Sequence, residues 1–288
     1  MSVPSVSVII SVFGQLQHTK RCLAQLEKTL DGVIDYEVLI IDDASKDGTV
    51  EFLKGLGEPY RVFFNDENQG FAKNNNLGSR EARGEYLCLL NNDVFVQGDW
   101  FTPMLRVFEQ KEKVGMVGNV QKLADSNRYD HMGVVFSPQG KPCHFGKDFF
   151  HRPFGKGFKE WNAVTAACCL VNRERFLDSG GFDEVFVNGY EDIDLCLRML
   201  AEGFNHFVAH ESVVEHVRSS SYNRSKYNRR NEGIFEKRWS RMILEELIQR
   251  DERQYASWYF QRCFFNPAVI NPARMFIALC ILVKTFFK

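Results

Sequence analysis

The chain has 288 residues, of which 44% are hydrophobic and 25% are charged, an ordinary composition for a soluble globular protein. These values exclude a fibrous or an intrinsically disordered chain. The formal net charge is −1 at pH 7, so the chain as a whole does not attract nucleic acid, and no nucleic-acid partner is expected. A site for a polyanion must be local, as a pocket for one diphosphate would be.

The cysteines and the termini bear on the cellular location. Eight cysteines are irregularly spaced without a CxxC pair, which indicates neither a zinc site nor a disulfide framework. The first residues lack the basic and apolar regions of a secretory signal, so we expect a cytoplasmic location. Residues 275–283 are continuously apolar between Arg274 and Lys284, but this run is too short to cross a bilayer.

Apolar runs alternate with helical periodicity through the first 120 residues. Residues 6–12 and 36–41 have the near-continuous hydrophobicity of strands that are covered on both faces, as in a parallel sheet. Residues 18–30 carry apolar side chains at spacings of three and four, which is typical of an amphipathic helix. The other predicted strands of this region are 60–65, 86–90 and 114–117, and the other predicted helices are 49–56, 72–83 and 100–110.

The regular alternation stops after Asn119. The sequence then predicts a hairpin near residues 134–137, a long mobile loop over 138–160, a buried strand over 163–171 and a loop over 182–190. A helix with an acidic first turn, which suits the helix dipole, is predicted at 191–200. The last predicted elements are short strands at 204–208 and 213–217 and a helix that ends near residue 248.

This order of elements predicts an α/β fold, an open, mostly parallel Rossmann-like sheet with helices on both faces. We expect a catalytic domain at residues 1–222 and a C-terminal helical extension at residues 223–288. Residues 218–241 contain eight Lys or Arg and two Glu. A basic segment followed by an apolar one can dock peripherally on the inner face of the cell membrane. The alternative is a helix packed on the catalytic domain.

Acidic residues lie where two predicted strands end. Asp42 and Asp43 close the second strand, and Asn91-Asn92-Asp93 follows the fourth. Ligands of open α/β sheets bind outside the carboxyl ends of the strands. Mg²⁺ and Mn²⁺ prefer oxygen ligands, and one or two carboxylates suffice when phosphates and waters supply the rest. The alternative is structural, because Asn and Asp are common turn residues.

The segments that follow these strands have both local and functional interpretations. Asp47-Gly48 is typical of a turn, and Ser45 is typical of a helix cap. These local roles leave Asp42 and Asp43 unexplained, and one of these carboxylates could accept a hydrogen bond from a base or ribose. An acidic pair also occurs in phosphoacceptor receiver domains, which are much shorter than this chain. Gly70 at a helix start and Lys73 in its first turn could present amides and a cation to phosphate, or form a plain loop.

Two later segments carry further candidates. Glu191 and Asp192 follow a loop that contains glycine, and a carboxylate there could remove a proton from a hydroxyl. Asp194 and Arg198 are spaced as a helical ion pair. His216 ends a strand, and the adjacent Arg218 would add positive charge for a diphosphate or metal site, although a lone histidine is commonly structural.

These segments, in this order, resemble the family 2 inverting glycosyltransferases of the GT-A fold, and most of all bacterial rhamnosyltransferase-like members that build surface polysaccharide. The similarity covers residues 6–222. The segments that carry it are VSVIISVFG, IIDDASKDGT, NQGFAKNNNLG, LLNNDVFV, AACCLVNRERFLDSGGFDE, YEDIDLCLR and EHVRSSS.

The resemblance implies roles for individual residues. Asp192 would be the catalytic base, with Glu191 and Trp161 on the acceptor or sugar side, and Asp93 and His216 would bind Mn²⁺ or Mg²⁺. The family motif is usually Asp-x-Asp, and Asn91 replaces its first carboxylate, so we expect weak metal binding. The residues implied at the nucleotide are Val12, Phe13, Asp43, Asn68, Gly70, Lys73 and Asn92.

The implied reaction moves a sugar from a nucleoside diphosphate donor, with uridine or thymidine favoured over guanosine, to a hydroxyl of a saccharide or lipid-linked acceptor. The 138–160 loop is a candidate lid over the acceptor. One alternative is a nucleotidyltransferase that makes an activated sugar, but residues 11–16 lack the basic, Gly-rich loop expected for it. The other alternative is a noncatalytic sugar-nucleotide-binding module.

Overall fold

The computed structural model describes residues 5–217 and 224–286. Within them the strands are β1 (Val6–Val12), β2 (Tyr36–Asp42), β3 (Tyr60–Phe64), β4 (Tyr86–Leu90), β5 (Val94–Val96), β6 (Val114–Leu123), β7 (Tyr129–His131), β8 (Val134–Phe136), β9 (Pro142–His144), β10 (Phe158–Trp161), β11 (Cys168–Asn172) and β12 (Asn205–His216). The helices are α1 (Leu16–Leu30), α2 (Thr49–Lys54), α3 (Phe71–Glu81), α4 (Thr102–Gln110), α5 (Arg173–Asp178), α6 (Glu191–Ala201), α7 (Arg224–Met242), α8 (Ile248–Phe265) and α9 (Pro272–Phe286). A π-helical turn (Ile243–Leu247) joins α7 to α8.

The central sheet is mixed and has ten strands. Its main order is β10-β12-β6-β11-β4-β1-β2-β3, with β5 paired to β12 and β7 to β6. β1 runs parallel to β2 and β4, and β3 runs parallel to β2, whereas β11 runs antiparallel between β4 and β6. The carboxyl ends of β1, β2 and β4 therefore meet at one edge of the sheet.

Helices cover both faces of the parallel strands. In β1, Val8 and Ile10 enter the core formed with α1 and α4, whereas Ile9 enters the core formed with α3, α6 and the C-terminal helices. Burying such a side chain stabilises the fold by about 1.5–3 kcal/mol. The double coverage explains why these strands are uniformly hydrophobic in sequence.

The C-terminal helices pack on the sheet and on α6. Phe235 of α7 and Trp258 of α8 belong to the same core as Ile9, and Asp251 of α8 accepts a hydrogen bond from Phe136 N at 2.7 Å. α7 and α8 are therefore packed on the catalytic part of the chain, whereas α9 also exposes Phe276 and Leu279 at the surface. The expected domain boundary at residues 222 and 223 lies outside the described residues. No helix of the described segments is long and apolar enough to span a membrane.

Several predicted elements differ from the structure. The 138–160 segment contains β9 and most of β10, so it is not one continuous loop. The strands predicted at 204–208 and 213–217 are a single strand, β12, with an irregular register between Ala209 and Val213. The polar residues of this irregular part break the apolar pattern, because a bulge relaxes the alternation of buried side chains. The strand predicted from residue 163 begins at Cys168.

Candidate active site

The residues predicted to bind a metal lie together at the edge of the sheet where β4 and β12 end. Asp93 follows β4, and Val94 of β5 pairs with His216, the last residue of β12. Asp93 Oδ1 lies 3.4 Å from His216 Nε2. Asp93 is 6% exposed. The pairing of β5 with β12 therefore holds a buried carboxylate beside an imidazole.

Gln121 of β6 orients the imidazole. Gln121 Oε1 lies 3.2 Å from His216 Nδ1, and Gln121 Nε2 donates to Asn119 Oδ1 at 3.4 Å, which sets the direction of the Gln121 amide. Because Gln121 Oε1 can only accept, a neutral His216 carries its proton on Nδ1. Nε2 then presents a lone pair beside Asp93, the form in which histidine binds metals.

Asp93 and His216 fit a divalent cation that takes most of its ligands from a substrate. In the part of the chain that the structure describes, no group of three or more His, Cys, Asp or Glu side chains could hold a metal by itself. Mg²⁺ commonly needs one or two carboxylates, with phosphates and waters completing its shell. Arg218, the predicted positive charge beside His216, lies outside the described residues.

Hydrogen bonds on both sides fix the turn that carries Asp93. Asn91 N donates to Ala167 O at 2.8 Å, and Asn92 Nδ2 donates to Thr19 Oγ1 at 3.1 Å. The turn is therefore held through the main chain of Asn91 and the side chain of Asn92, and its carboxylate is that of Asp93.

The carboxylate of Asp43 holds the loop that precedes α3. Its Oδ1 accepts from Gln69 N at 2.7 Å and from Asn65 Nδ2 at 3.0 Å, and its Oδ2 accepts from Gly70 N at 3.0 Å. Gly70 has φ +85°, a conformation that favours glycine. A carboxylate has about four acceptor positions, so Asp43 retains one for a ligand beside the exposed Asn68.

Val12, Phe13 and Lys73 reach this edge in different ways. The Val12 side chain is fully buried, so only its main chain can line a pocket, and Val12 O accepts from Asp43 N at 2.7 Å. Phe13 is 43% exposed and can stack on a base. Lys73 is exposed in the first turn of α3 and donates to Gln69 Oε1 at 3.0 Å.

Ser45 fixes the loop after β1, and its predicted role as a helix cap was wrong. Ser45 Oγ accepts from Gly14 N at 2.7 Å, whereas α2 begins after Gly48 without a side-chain cap. The reason is that β1 and β2 are adjacent and parallel, which brings Gly14 N to the hydroxyl. Asp42 Oδ2 accepts from Ser45 N at 3.1 Å. Asp42 Oδ1 is buried without a hydrogen-bond partner among the described residues, so it can accept from a ligand.

Asp192, the predicted base, lies in the first turn of α6, a favourable place for a carboxylate. Asp192 Oδ2 accepts from Ala166 N at 3.1 Å, and Oδ1 accepts from Ile193 N at 2.9 Å. The next residue along the chain, Ala167, accepts the hydrogen bond from Asn91 N. One short segment therefore contacts both the predicted base and the turn that carries the predicted metal ligand.

Comparison with known proteins identifies the family. Residues 7–178 match the model of glycosyl transferase family 2. The chain belongs to this family. Among its relatives, the glycosyltransferase AglE of Haloferax volcanii is 30% identical over 218 residues, which cover 75% of this chain and 67% of that protein.

Some relatives of this family 2 glycosyltransferase are much longer. The O-antigen biosynthesis protein RfbC of Myxococcus xanthus is 30% identical over 226 residues, which are 76% of this chain and 18% of that protein. The uncharacterized protein y4gI of Sinorhizobium fredii is 28% identical over 82% of this chain and 28% of its own length. The chain thus spans less than a third of either relative.

Solved structures show the same fold. GalNAc-T7 with UDP, GalNAc and Mn²⁺ gives a TM-score of 0.64 at 15% identity, over 83% of this chain and 50% of that one. The mannosyltransferase PcManGT from Pyrobaculum calidifontis with GDP-Man and Mn²⁺ gives 0.58 at 16% identity, over 98% of this chain and 74% of that one. The predicted GT-A fold is confirmed.

Trp161 of the glycosyltransferase lies in a packed environment. It is 4% exposed, and its ring centroid lies 4.9 Å from that of Phe145. Trp161 pairs with His206 near the start of β12, whereas His216 ends that strand. Residues 207–216 of β12 lie opposite only residues 117–123 of β6, so the two positions are roughly 20 Å apart along the sheet at the usual rise per residue. The structure therefore does not bring Trp161 to the predicted metal ligands.

Glu191 is directed at the backbone of its own loop. It is 5% exposed, and its Oε2 accepts from Gly189 N at 2.5 Å. One oxygen of Glu191 thus supports the turn before α6, and its predicted place on the acceptor or sugar side stays a prediction.

Asp194 has more partners than the sequence predicted. The expected ion pair with Arg198 is confirmed, with Arg198 Nε donating to Asp194 Oδ2 at 2.9 Å. Two residues of α7 also donate to Asp194 Oδ1, Arg238 Nη1 at 2.7 Å and Trp239 Nε1 at 2.8 Å. Sequence reasoning missed these contacts, as it missed Gln121, because no local pattern marks a polar residue whose partner lies in another element.

Proposed function

We propose that this glycosyltransferase moves a sugar from a UDP- or dTDP-sugar to a hydroxyl of a saccharide or lipid-linked acceptor, with inversion at the anomeric carbon. The observation that carries the proposal is the contact of Ala166 with Asp192 and of Ala167 with Asn91. A base and a diphosphate-binding carboxylate on two sides of one short segment suit a displacement in which acceptor and leaving group lie on opposite faces of the sugar.

Asp192 acts as the general base in this reaction. It takes the proton of the acceptor hydroxyl while that oxygen attacks the anomeric carbon. A carbon–oxygen bond forms on one face of the sugar, the bond to the diphosphate oxygen breaks on the other face, and its electron pair stays on the diphosphate. Attack opposite the leaving group inverts the configuration. Glu191 borders the sugar side.

Asp93 and His216 would hold Mn²⁺ or Mg²⁺ on the diphosphate side. The cation would supply Lewis-acid stabilisation of the leaving diphosphate. Support comes from the solved structures of GalNAc-T7 with UDP and Mn²⁺ and of PcManGT with GDP-Man and Mn²⁺. With Asn91 in place of a second carboxylate, the donor set is less negative, so the metal binds weakly without the nucleotide.

The nucleotide occupies the edge formed by the loops after β1 and β2 and before α3. Phe13 stacks on the base. Either Asp42 Oδ1 or the remaining acceptor position of Asp43 accepts a hydrogen bond from the base or the ribose. The other residues at this site are Val12, Asn68, Gly70, Lys73 and Asn92.

A donor panel tests this function. Thermal shifts are measured with UDP-, dTDP- and GDP-sugars, with and without Mn²⁺, and each stabilising donor is then offered p-nitrophenyl glycosides as acceptors. We expect stabilisation by a uridine or thymidine donor and a product of inverted anomeric configuration by proton NMR. Retention of configuration would refute the mechanism.

Membership in family 2 removes the nucleotidyltransferase alternative. The absence of both sugar transfer and donor hydrolysis would favour the other alternative, a noncatalytic module.

The acceptor is proposed to be part of a surface polysaccharide, in keeping with the O-antigen relative RfbC, and to be reached at the inner face of the cell membrane. Three side chains of α9 form an outward apolar face, Phe276 at 68%, Leu279 at 51% and Val283 at 49% exposure. Arg274 and Lys284 flank this face. Apolar side chains between cations suit the surface of an anionic bilayer.

Liposome flotation tests the membrane contact. The full chain is compared with the double variant Phe276→Ser and Leu279→Ser on vesicles that contain anionic lipid. We expect the double variant to lose most of the binding. The control is Leu244→Ser, which removes a side chain of 51% exposure on the π-helical turn. Equal flotation of all three proteins would refute the proposed contact.

A further inference from the structure

The loop before the proposed base has a strained backbone. Asn188 has φ +53° and Tyr190 has φ +78°, with Gly189 between them at φ +154°. Left-handed conformations are unfavourable for residues with side chains, and they persist where surrounding structure imposes them. Asp192 comes two residues after Tyr190, so whatever holds this loop also sets the position of the Asp192 carboxylate.

Asn231 of α7 holds the loop through its side-chain amide. Asn231 Nδ2 donates to Val187 O at 2.9 Å and to Gly189 O at 3.0 Å. Val187 N donates to Asn231 Oδ1 at 3.4 Å. Asn231 is fully buried. Both amide hydrogens and the amide oxygen of one side chain are therefore used on the backbone of the strained loop.

Other residues of α7 reinforce this contact. Arg230 Nη1 donates to Val185 O at 3.0 Å. The ring of Phe235 packs against that of Tyr190, with centroids 4.9 Å apart. α7 thus contacts the loop through hydrogen bonds to residues before and between the strained positions and through an aromatic ring against Tyr190.

The same loop contacts the proposed nucleotide side of the site. Phe71 N, at the start of α3, donates to Asn188 Oδ1 at 3.4 Å. Gly70, the preceding residue, is bound by Asp43. The loop held by Asn231 therefore lies between the nucleotide-binding loop and the proposed base.

We propose that Asn231 is a positioning residue for transfer, and that α7 is an integral part of the active site although it lies beyond the segment that matches the family model. This inference rests on the proposed role of Asp192 as base. Asn231 fixes the backbone of residues 187–190 and thereby holds the Asp192 carboxylate at the distance from which it can take the acceptor proton. A displacement of about 1 Å in such a group can lower the rate about 100-fold.

The test compares Asn231→Leu with Lys237→Leu, which introduces the same side chain at an exposed position of α7. Asn231→Asp, of equal size, is included in case the leucine does not fold. Transfer is measured with the donor and acceptor that the panel selects, and UDP and dTDP binding with Mn²⁺ is measured by calorimetry. We expect both Asn231 variants to lose at least tenfold in kcat, calculated per nucleotide-binding site. Their KM for the donor should stay within twofold of the wild-type value, and the stoichiometry of nucleotide binding should not change.

Hydrogen–deuterium exchange provides a readout that does not depend on activity. We expect faster exchange of peptides that span residues 185–195 in the Asn231 variants and wild-type exchange in Lys237→Leu. Wild-type exchange in the Asn231 variants, or a loss of kcat matched by an equal loss of nucleotide-binding sites, would overturn the proposal. If the wild type neither transfers sugar nor hydrolyses the donor while exchange changes as expected, the proposed function is refuted, but the role of Asn231 in holding the loop is not.

Discussion

Replacing Asp194 by Asn removes the buried charge on which the contact between α6 and α7 depends. Asp194 is fully buried and accepts hydrogen bonds from Arg198, Arg238 and Trp239. Removing one partner of a buried ion pair costs about 3–5 kcal/mol. The two arginine side chains are 23% and 35% exposed, and Arg238 keeps Asp183 at 2.9 Å. We therefore expect a loss near the lower end, about 3 kcal/mol.

Urea denaturation followed by circular dichroism measures this loss. Asp192→Asn is the matched control on the same helix, because Asp192 is partly exposed and makes no ion pair among the described residues. The control should lose less than about 1 kcal/mol, the net value of one hydrogen bond. If Asp194→Asn unfolded at the same urea concentration as the control, the buried charges would not stabilise the joint between α6 and α7.

Three further outcomes follow from the site and the packing. Asp192→Asn should keep UDP binding in calorimetry and lose about 100-fold to 10,000-fold in kcat, the usual contribution of a general base; an active variant would exclude Asp192 from that role. Asp93→Ala should abolish the enhancement of nucleotide binding by Mn²⁺, and Asn91→Asp should increase it; an unchanged metal response in both would remove Asp93 from the metal site. Burial raises the pKa of Asp251 to about 6, above the usual value of about 3.9. The stability contributed by the protonated form is therefore full below about pH 4 and is lost as the pH rises to about 6. Asp251→Asn should remove this component from the urea midpoints measured between pH 4 and 7, and an unaltered pH profile would contradict the buried titration.

The parallel half of the fold follows closely from the sequence. β1 occupies the predicted residues 6–12, and α1 buries the predicted apolar stripe. These elements are predictable because burial on both faces leaves a continuous hydrophobic run, and burial on one face leaves a helical period. Both patterns are local, so they can be recognised in the sequence without knowing which elements pack against each other.

The antiparallel half was less predictable. Most of its strands are short, and the longest, β12, contains an irregular polar stretch, so the sequence predicted two strands where the structure has one. The hairpin of β8 and β9 was indicated, but β9 itself lies in a segment of mixed composition. Such elements are specified by pairing with distant strands and by aromatic packing, which local periodicity does not report.

At the site, residues at strand ends could be placed from the sequence, and supporting residues could not. Asp93 and His216 lie together because Asp93 follows β4, His216 ends β12, and both strands end at one edge of the sheet. Gln121 and Asn231 act on backbone or side chains far away in sequence, so nothing next to them indicates their role. Trp161, which the resemblance implies on the acceptor or sugar side, packs against Phe145, and this role stays a prediction.

The segment Ala166-Ala167 has a consequence for selectivity. Its first residue holds Asp192 and its second holds the turn of Asp93, and two residues of extended chain span at most about 7 Å. In the proposed mechanism, main-chain hydrogen bonds of this segment therefore set the spacing between Asp192 and the turn of Asp93, and they do not depend on the side chains of Ala166 and Ala167. Exchanging these two alanines for other small residues is expected to leave the choice of sugar unchanged. A designer who wishes to change the donor would start from side chains elsewhere around the proposed site.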